Sequence, residues 1–284
     1  INGREGLFIN IQALFLKFLI PITGASEPWM LRLPSAIFGI LTVLGVYFLT
    51  KELLGYEIRK EYESTKEETG GIFSYNRNNL VFRSNTVSLL SAFFIATSFW
   101  HINFSRIGFR AIMAPALLVW ALFFLLKSLN QTKNKFQVPN SKFQTNSPLE
   151  TDLLSAEKYQ NQNNLEFWKL KLRSLFENRN LKTGISAILG GLLYGLGFYS
   201  YIAYRATPLL IFFIALVYWW KSKEAAARKQ ILFSIFYFLL SAATVTAPLG
   251  IYFLENPESF FGRTGQISIF ESATPLKDLG LNIL

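Results

Sequence analysis

Polar and apolar positions alternate along this chain in long blocks. Six stretches contain no Asp, Glu, Lys or Arg: residues 33–50, 84–105, 111–126, 183–204, 206–220 and 230–254. A helix needs about 20 mostly apolar residues to cross the hydrocarbon core of a bilayer. The stretches 84–105, 183–204 and 230–254 meet that length outright, and 33–50 nearly does. The two shorter ones are flanked by Arg110, Lys127, Arg205 and Lys221, whose long stems reach back to the interface. Lipid offers the backbone no hydrogen-bond partner, so such runs are expected as helices. The pattern predicts spans near 33–50, 85–102, 111–127, 184–203, 206–220 and 231–254. A soluble helical core would have to absorb six such runs in one chain of this size.

Residues 7–22 differ. Leu7, Ile11, Leu14, Phe15 and Phe18 repeat at helical spacing, while Asn10 and Lys17 fall elsewhere. This predicts an amphipathic helix lying in the outer interface, with a short tilted span as the alternative. The fold class expected is therefore all-α, a polytopic transmembrane helical bundle with an outer juxtamembrane helix. Residues 1–284 are read as a single membrane-embedded domain. Composition agrees with this. Of 284 residues, 51% are apolar and only 16% charged, against about 25% charged in a soluble domain, and mean hydropathy is +0.29. There is no Cys, which excludes a disulfide scaffold and a thiolate zinc site. His101 is the sole histidine, so an all-protein zinc site is not expected.

The net charge of +10 first suggests an acidic partner, but the placement of the charges changes that reading. The segments 51–84, 127–183 and 221–229 hold 6, 10 and 4 Lys or Arg, 20 of the 28 in the chain. The other eight lie on the opposite side of the six spans or beyond them. The positive-inside rule then assigns the rich loops, including the polar loop 128–182, to the cytoplasm. Within it, 165–178 reads as a basic amphipathic helix on the inner membrane surface. The basic loops lack the aromatic interleaving of a nucleic-acid platform, so no nucleic-acid partner is expected.

What remains on the outer side is a small, distinctive set. Arg4 and Glu5 precede the juxtamembrane helix, Glu27 and Arg32 bracket Pro28-Trp29, and Arg106, Arg110 and Arg205 stand at span ends with Tyr204. Arginine recognises phosphate oxygens bidentately, so three arginines at one membrane face suit an anionic headgroup. Interfacial anchoring explains each of them equally well one at a time. His101 is a candidate general base, or a metal ligand with Glu5 or Glu27, against the plainer reading of an interfacial hydrogen bond. Gly191 and Gly195 form a GxxxG spacing, expected as a helix-packing face. No Walker loop, nucleotide fingerprint or Ser-His-Asp order is present.

Several stretches resemble the polytopic, GT-C type glycosyltransferases that use polyprenyl-phosphate sugars, a group that includes protein O-mannosyltransferases and the aminoarabinose transferases of lipid A. The resemblance lies in Gly3-Arg4-Glu5-Gly6-Leu7-Phe8 and residues 27–43 (EPWMLRLPSAIFGILTV) followed by 51–55 (KELLG). It continues in 98–111 (SFWHINFSRIGFRA) and 195–209 (GLGFYSYIAYRATPL). It implies a sugar transfer, of inverting type, from a lipid-phosphate donor to a lipid, glycan or protein hydroxyl at the outer face of a bacterial inner or plasma membrane. Arg106, Arg110, Arg205 and Arg4 would contact the donor phosphate, with Tyr204, His101 and Glu27 around the pocket. The family's catalytic base is an acidic residue just after a first span. Nothing here matches it, so the chain is read as a fragment, inactive alone, whose first span and first outer loop precede Ile1. Glu5 is the remaining acidic candidate, although Arg-Glu-Gly departs from the family's usual Lys-Pro-Pro at that place. The reaction requires no cofactor and is compatible with a divalent metal. The expected partners are the lipid-linked sugar and membrane lipids, with the acceptor unassigned. Two other readings stand beside this one: a transporter or flippase of lipid-linked or anionic solutes, and a non-catalytic partner in envelope glycan assembly.

Overall fold

A computed structural model describes residues 6–68, 77–134, 179–222 and 225–256. Arg4, Glu5, the predicted surface helix 165–178 and most of the loop 128–182 lie outside the described residues. The described chain is helical, with no strand. It comprises α1 (Gly6–Thr23), α2 (Pro28–Glu68), α3 (Arg77–Thr97), α4 (Phe99–Ile107), α5 (Met113–Asn134), α6 (Arg179–Gly197), α7 (Thr207–Lys221) and α8 (Ala225–Glu255). Short 3-10 turns, Arg110–Ile112 and Ile202–Ala206, lead into α5 and α7. Five segments among the described residues are long and apolar enough to cross a membrane, six if α3 and α4 count as one broken span. The protein is a multi-pass membrane protein built as a helical bundle.

Two helices organise it. α2 packs on α1, α3, α4 and α5, and α6 is held between α5 and α8. Helices in lipid gain little from hydrophobic transfer against one another, so close backbone approach and hydrogen bonds have to hold them. The glycines of α6 provide the approach. A Cβ at Gly190 would stand 3.0 Å from the Ala121 carbonyl of α5, and one at Gly195 would stand 2.8 Å from the Ala242 carbonyl of α8. At Gly191 an added Cβ would collide with Ser241 and the Phe238 backbone. The GxxxG face therefore packs as expected, and Gly190 extends it to a second partner. α2 does the same, with Gly39 against Ser105 of α4 and Gly45 against Val119 and Trp120 of α5.

Hydrogen bonds between helices supply the rest. Trp120 Nε1 donates to the Leu41 carbonyl at 3.0 Å, and Ser241 Oγ donates to the Ile188 carbonyl at 3.1 Å. Ser128 Oγ donates to the Thr183 carbonyl at 3.0 Å. Most other hydroxyls in the spans bond back to their own helix, as Thr42 does to the Phe38 carbonyl and Ser88 to that of Ser84.

Several boundaries differ from those expected. The span predicted at 85–102 is interrupted at Ser98, where the backbone turns extended (φ −63°, ψ 127°) and α4 leaves α3 at 57°. The bend keeps α4 against the start of α2. There Ser35 Oγ lies 2.9 Å from the Ser105 carbonyl. The connection 103–110 is accordingly mostly helix, ended by Gly108 in the left-handed region at φ 81°. The span predicted at 184–203 ends as an α-helix at Gly197, because Tyr204 folds back over that glycine and leaves no room for a Cβ. α2 runs on to Glu68, well into the polar segment read as a loop.

α1 also departs from its reading. It is 18 residues long with mean hydropathy 1.7, enough to cross a membrane, so by length and composition it meets the test of the tilted-span alternative. Its packed face is formed around Phe8, stacked near Phe38 (6.4 Å between centroids), and Gln12, which donates to the Leu31 carbonyl at 2.8 Å. Leu14 and Phe18, placed on the apolar face by periodicity, point outward with 50% and 65% exposure.

Candidate functional site

The two 3-10 turns carry two of the candidate arginines. Arg110 opens the turn before α5, and Arg205 is the fourth residue of the turn before α7. A ring contact between Phe109 and Tyr201, 6.5 Å apart, joins the two connections. One end of the bundle thus gathers the starts of α5 and α7, with Arg110 three residues before α5 and Arg205 two before α7, and neither helix has an acidic residue in its first turn. Helix N-termini present unpaired N–H groups and a partial positive charge, which favour an anion. Arg106 is exposed in the last turn of α4, where a cation complements the negative helix end.

Arg110 is half-buried, with its Nε shut off from solvent. Arg205 is half-buried too, and its guanidinium lies over the Phe253 ring of α8, 4.8 Å from the centroid. Stacking uses the face of the guanidinium, and its N–H donors lie in the plane, toward the edge. A run of rings borders this end: Phe99, Trp100, Phe104, Phe109 and Tyr201, with successive centroids 5.2–6.5 Å apart.

Other candidates are placed differently. Tyr204, expected on a pocket wall, is 3% exposed and packed among Tyr194, Phe198 and Gly197. It is a core residue, because the turn at Gly197 drives its ring inward. His101 lies between α4 and α2, with Nε2 3.1 Å from the Gly39 carbonyl, a helix-to-helix contact. Glu27 is exposed, and its carbonyl accepts the Met30 N–H at the start of α2. No group of three His, Cys, Asp or Glu among the described residues is arranged to hold a metal ion.

Sequence reasoning missed a polar network at the opposite end. Asn130, 4% exposed, donates from Nδ2 to Glu52 Oε1 at 2.9 Å and accepts from the Tyr218 hydroxyl at 2.8 Å, tying α2, α5 and α7 together. The charge pattern places Glu52 and Asn130 in two separate loops on the same side, and no local pattern marks them as partners. Comparison with protein-family models, with curated proteins and with solved structures finds no match for this chain.

Proposed function

We propose that the protein is a membrane glycosyltransferase, or the membrane-embedded part of one. It would move a sugar from a polyprenyl-phosphate donor to a hydroxyl acceptor at the outer face of the membrane. The orientation follows from the loop charges, which put the Asn130 end in the cytoplasm and the Arg110 and Arg205 end outside. The observation that carries the reading is that Arg110 and Arg205, each in a 3-10 turn leading into a helix, stand at the same end of the bundle, their connections linked by the ring contact of Phe109 and Tyr201. The leaving group in this chemistry is a lipid phosphate, whose charge grows as the glycosidic bond breaks. Donors already aimed at that charge stabilise the transition state more than the ground state. The neighbouring rings suit sugar faces and isoprenoid chains. Two further roles rest on the sequence alone: Arg4 toward the donor phosphate and Glu5 as the acidic candidate beside the acceptor.

The test is transfer from a panel of polyprenyl-phosphate sugars by the full-length protein, with Arg106, Arg110 and Arg205 each changed to Ala. Loss of one oxyanion donor typically lowers kcat by about 10²–10³, so falls of that order are expected for Arg110 and Arg205. Wild-type rates in all three variants would overturn the assignment.

One observation favours the transporter reading. The α3–α4 break at Ser98 is the kind of discontinuous helix that transporters place at a substrate site. Uptake of labelled donor lipid into vesicles without sugar transfer would decide for it.

A further inference from the structure

At the Asn130 end, an open cleft of about 430 Å³ lies between α6 and α8. One wall is Thr183 and Gly184. The other is a face of α8 made by Gln230, Phe233, Ser234 and Tyr237, at helical spacing, with the exposed Lys229 also lining the cleft. Two features set it apart from an ordinary groove. Ser234 is 2% exposed, yet its hydroxyl has no hydrogen-bond partner among the described residues. Buried polar groups are nearly always paired, and an unpaired one is costly. The hydroxyls of Ser88, Ser91 and Thr244 all bond to the carbonyl four residues earlier, so Ser234 departs from the habit of this chain's own helices. Second, a Cβ built on Gly184 meets nothing within 4 Å, so the cleft is open where α6 borders it.

We propose that this cleft binds the phosphate-bearing headgroup of an anionic phospholipid. Lys229 supplies the charge, Ser234, Tyr237 and Gln230 supply donors, and Phe233 meets the first carbons of an acyl chain. The lining contains a cation, four hydroxyl- or amide-bearing side chains and no carboxylate, which fits a phosphate and disfavours a cation. The same end carries the loops with 20 of the 28 basic residues, which faces the cytoplasmic leaflet, where anionic lipids are found. The inference rests on that charge asymmetry and is independent of the transferase reading, whose site is at the other end of the bundle.

Native mass spectrometry of the purified full chain, titrated with dioleoyl-phosphatidylglycerol or dioleoyl-phosphatidylcholine, tests it. One phosphatidylglycerol is expected to bind more tightly than the rest, with phosphatidylcholine failing to replace it. Lys229→Gln should weaken that site about fivefold, the share of one lysine at an anionic surface. Ser234→Ala should weaken it about fivefold, the share of one hydrogen bond. Gly184→Phe should remove it by filling the cleft, whereas Gly184→Ala should retain it. Lys51→Gln makes the same charge change at the same end, outside the cleft, and should leave the site intact. Equal weakening by Lys51→Gln, tight lipid retained by folded Gly184→Phe, or equal binding of phosphatidylcholine would overturn the proposal. So would displacement of the lipid by inorganic phosphate at comparable concentration, which would make the ligand a soluble anion. If Gly184→Phe fails to fold, Lys229→Gln, Ser234→Ala and Lys51→Gln still decide the matter.

Discussion

Gly191 offers the sharpest measure of how this bundle is held together. In Gly191→Ala the new Cβ would land on Ser241 Oγ and on the Phe238 carbonyl. Neither can yield easily. Ser241 is held by hydrogen bonds to the Ile188 carbonyl at 3.1 Å and the Phe238 carbonyl at 3.0 Å, and the Phe238 carbonyl is backbone. α6 and α8 therefore have to separate by roughly 1 Å, a gap that forfeits about a quarter to a half of each dispersion contact across the seam. It also stretches the Ser241 to Ile188 bond beyond hydrogen-bonding length. Overpacking of this kind costs about 1–3 kcal/mol, and the backbone collision puts Gly191→Ala at the upper end. Gly190→Ala meets the Ala121 carbonyl at 3.0 Å, a milder conflict worth about 1 kcal/mol. Gly250→Ala meets nothing within 4 Å and should stay within about 0.5 kcal/mol of the parent. Reversible SDS titration in mixed micelles, followed by near-UV circular dichroism, reads all three on one scale. Equal midpoints for Gly191→Ala and Gly250→Ala would refute the account of a tight α6–α8 seam.

Two further outcomes follow from the hydrogen-bonded groups. Asn130→Asp sets a second carboxylate where the Asn130 amide now donates to Glu52 at 2.9 Å. The donor to Glu52 is lost and two acceptors face each other between packed helices, so the variant should lose about 1–3 kcal/mol of stability. An SDS midpoint equal to the parent's would refute the pairing. His101→Asn should cost about 0.6 kcal/mol, the mean for a hydrogen bond between membrane helices, and leave sugar transfer by the full-length protein within a few-fold of wild type. A fall of a hundredfold or more in kcat, the worth of a general base, would instead make His101 catalytic.

The membrane class and the loop asymmetry were legible because each depends on local composition, whereas the set of spans was not fully so: Gly6–Thr23 is long enough to cross and Thr183–Gly197 falls short. A run without charges is apolar whatever it packs against, and lipid leaves it no secondary structure but helix. The glycine face of α6 was legible for the same reason, since i, i+4 spacing puts small residues on one side. The break at Ser98 was not, because nothing in Thr97-Ser98-Phe99 forbids a continuous helix. It arises where α4 docks through Ser105 and Gly108 on the first turns of α2. Tyr204 was misplaced for a related reason. An aromatic beside an arginine at a span end looks interfacial, and only the turn at Gly197 sends its ring into the core.

By itself, then, the order of residues determined a basic, multi-pass helical chain and the places where arginines survive away from its positive loops. Tertiary structure decided which of those arginines share an end and are held there, Arg205 by Phe253 and the Arg110 turn by the Phe109–Tyr201 contact. It decided as well that Asn130 meets Glu52 across 78 residues of chain and that Ser234 lies buried in a cleft without a partner among the described residues. The division has a physical cause. Transfer into lipid acts on each segment alone, whereas a hydrogen bond or a packed seam between helices requires two segments whose relative position is set only when the bundle closes.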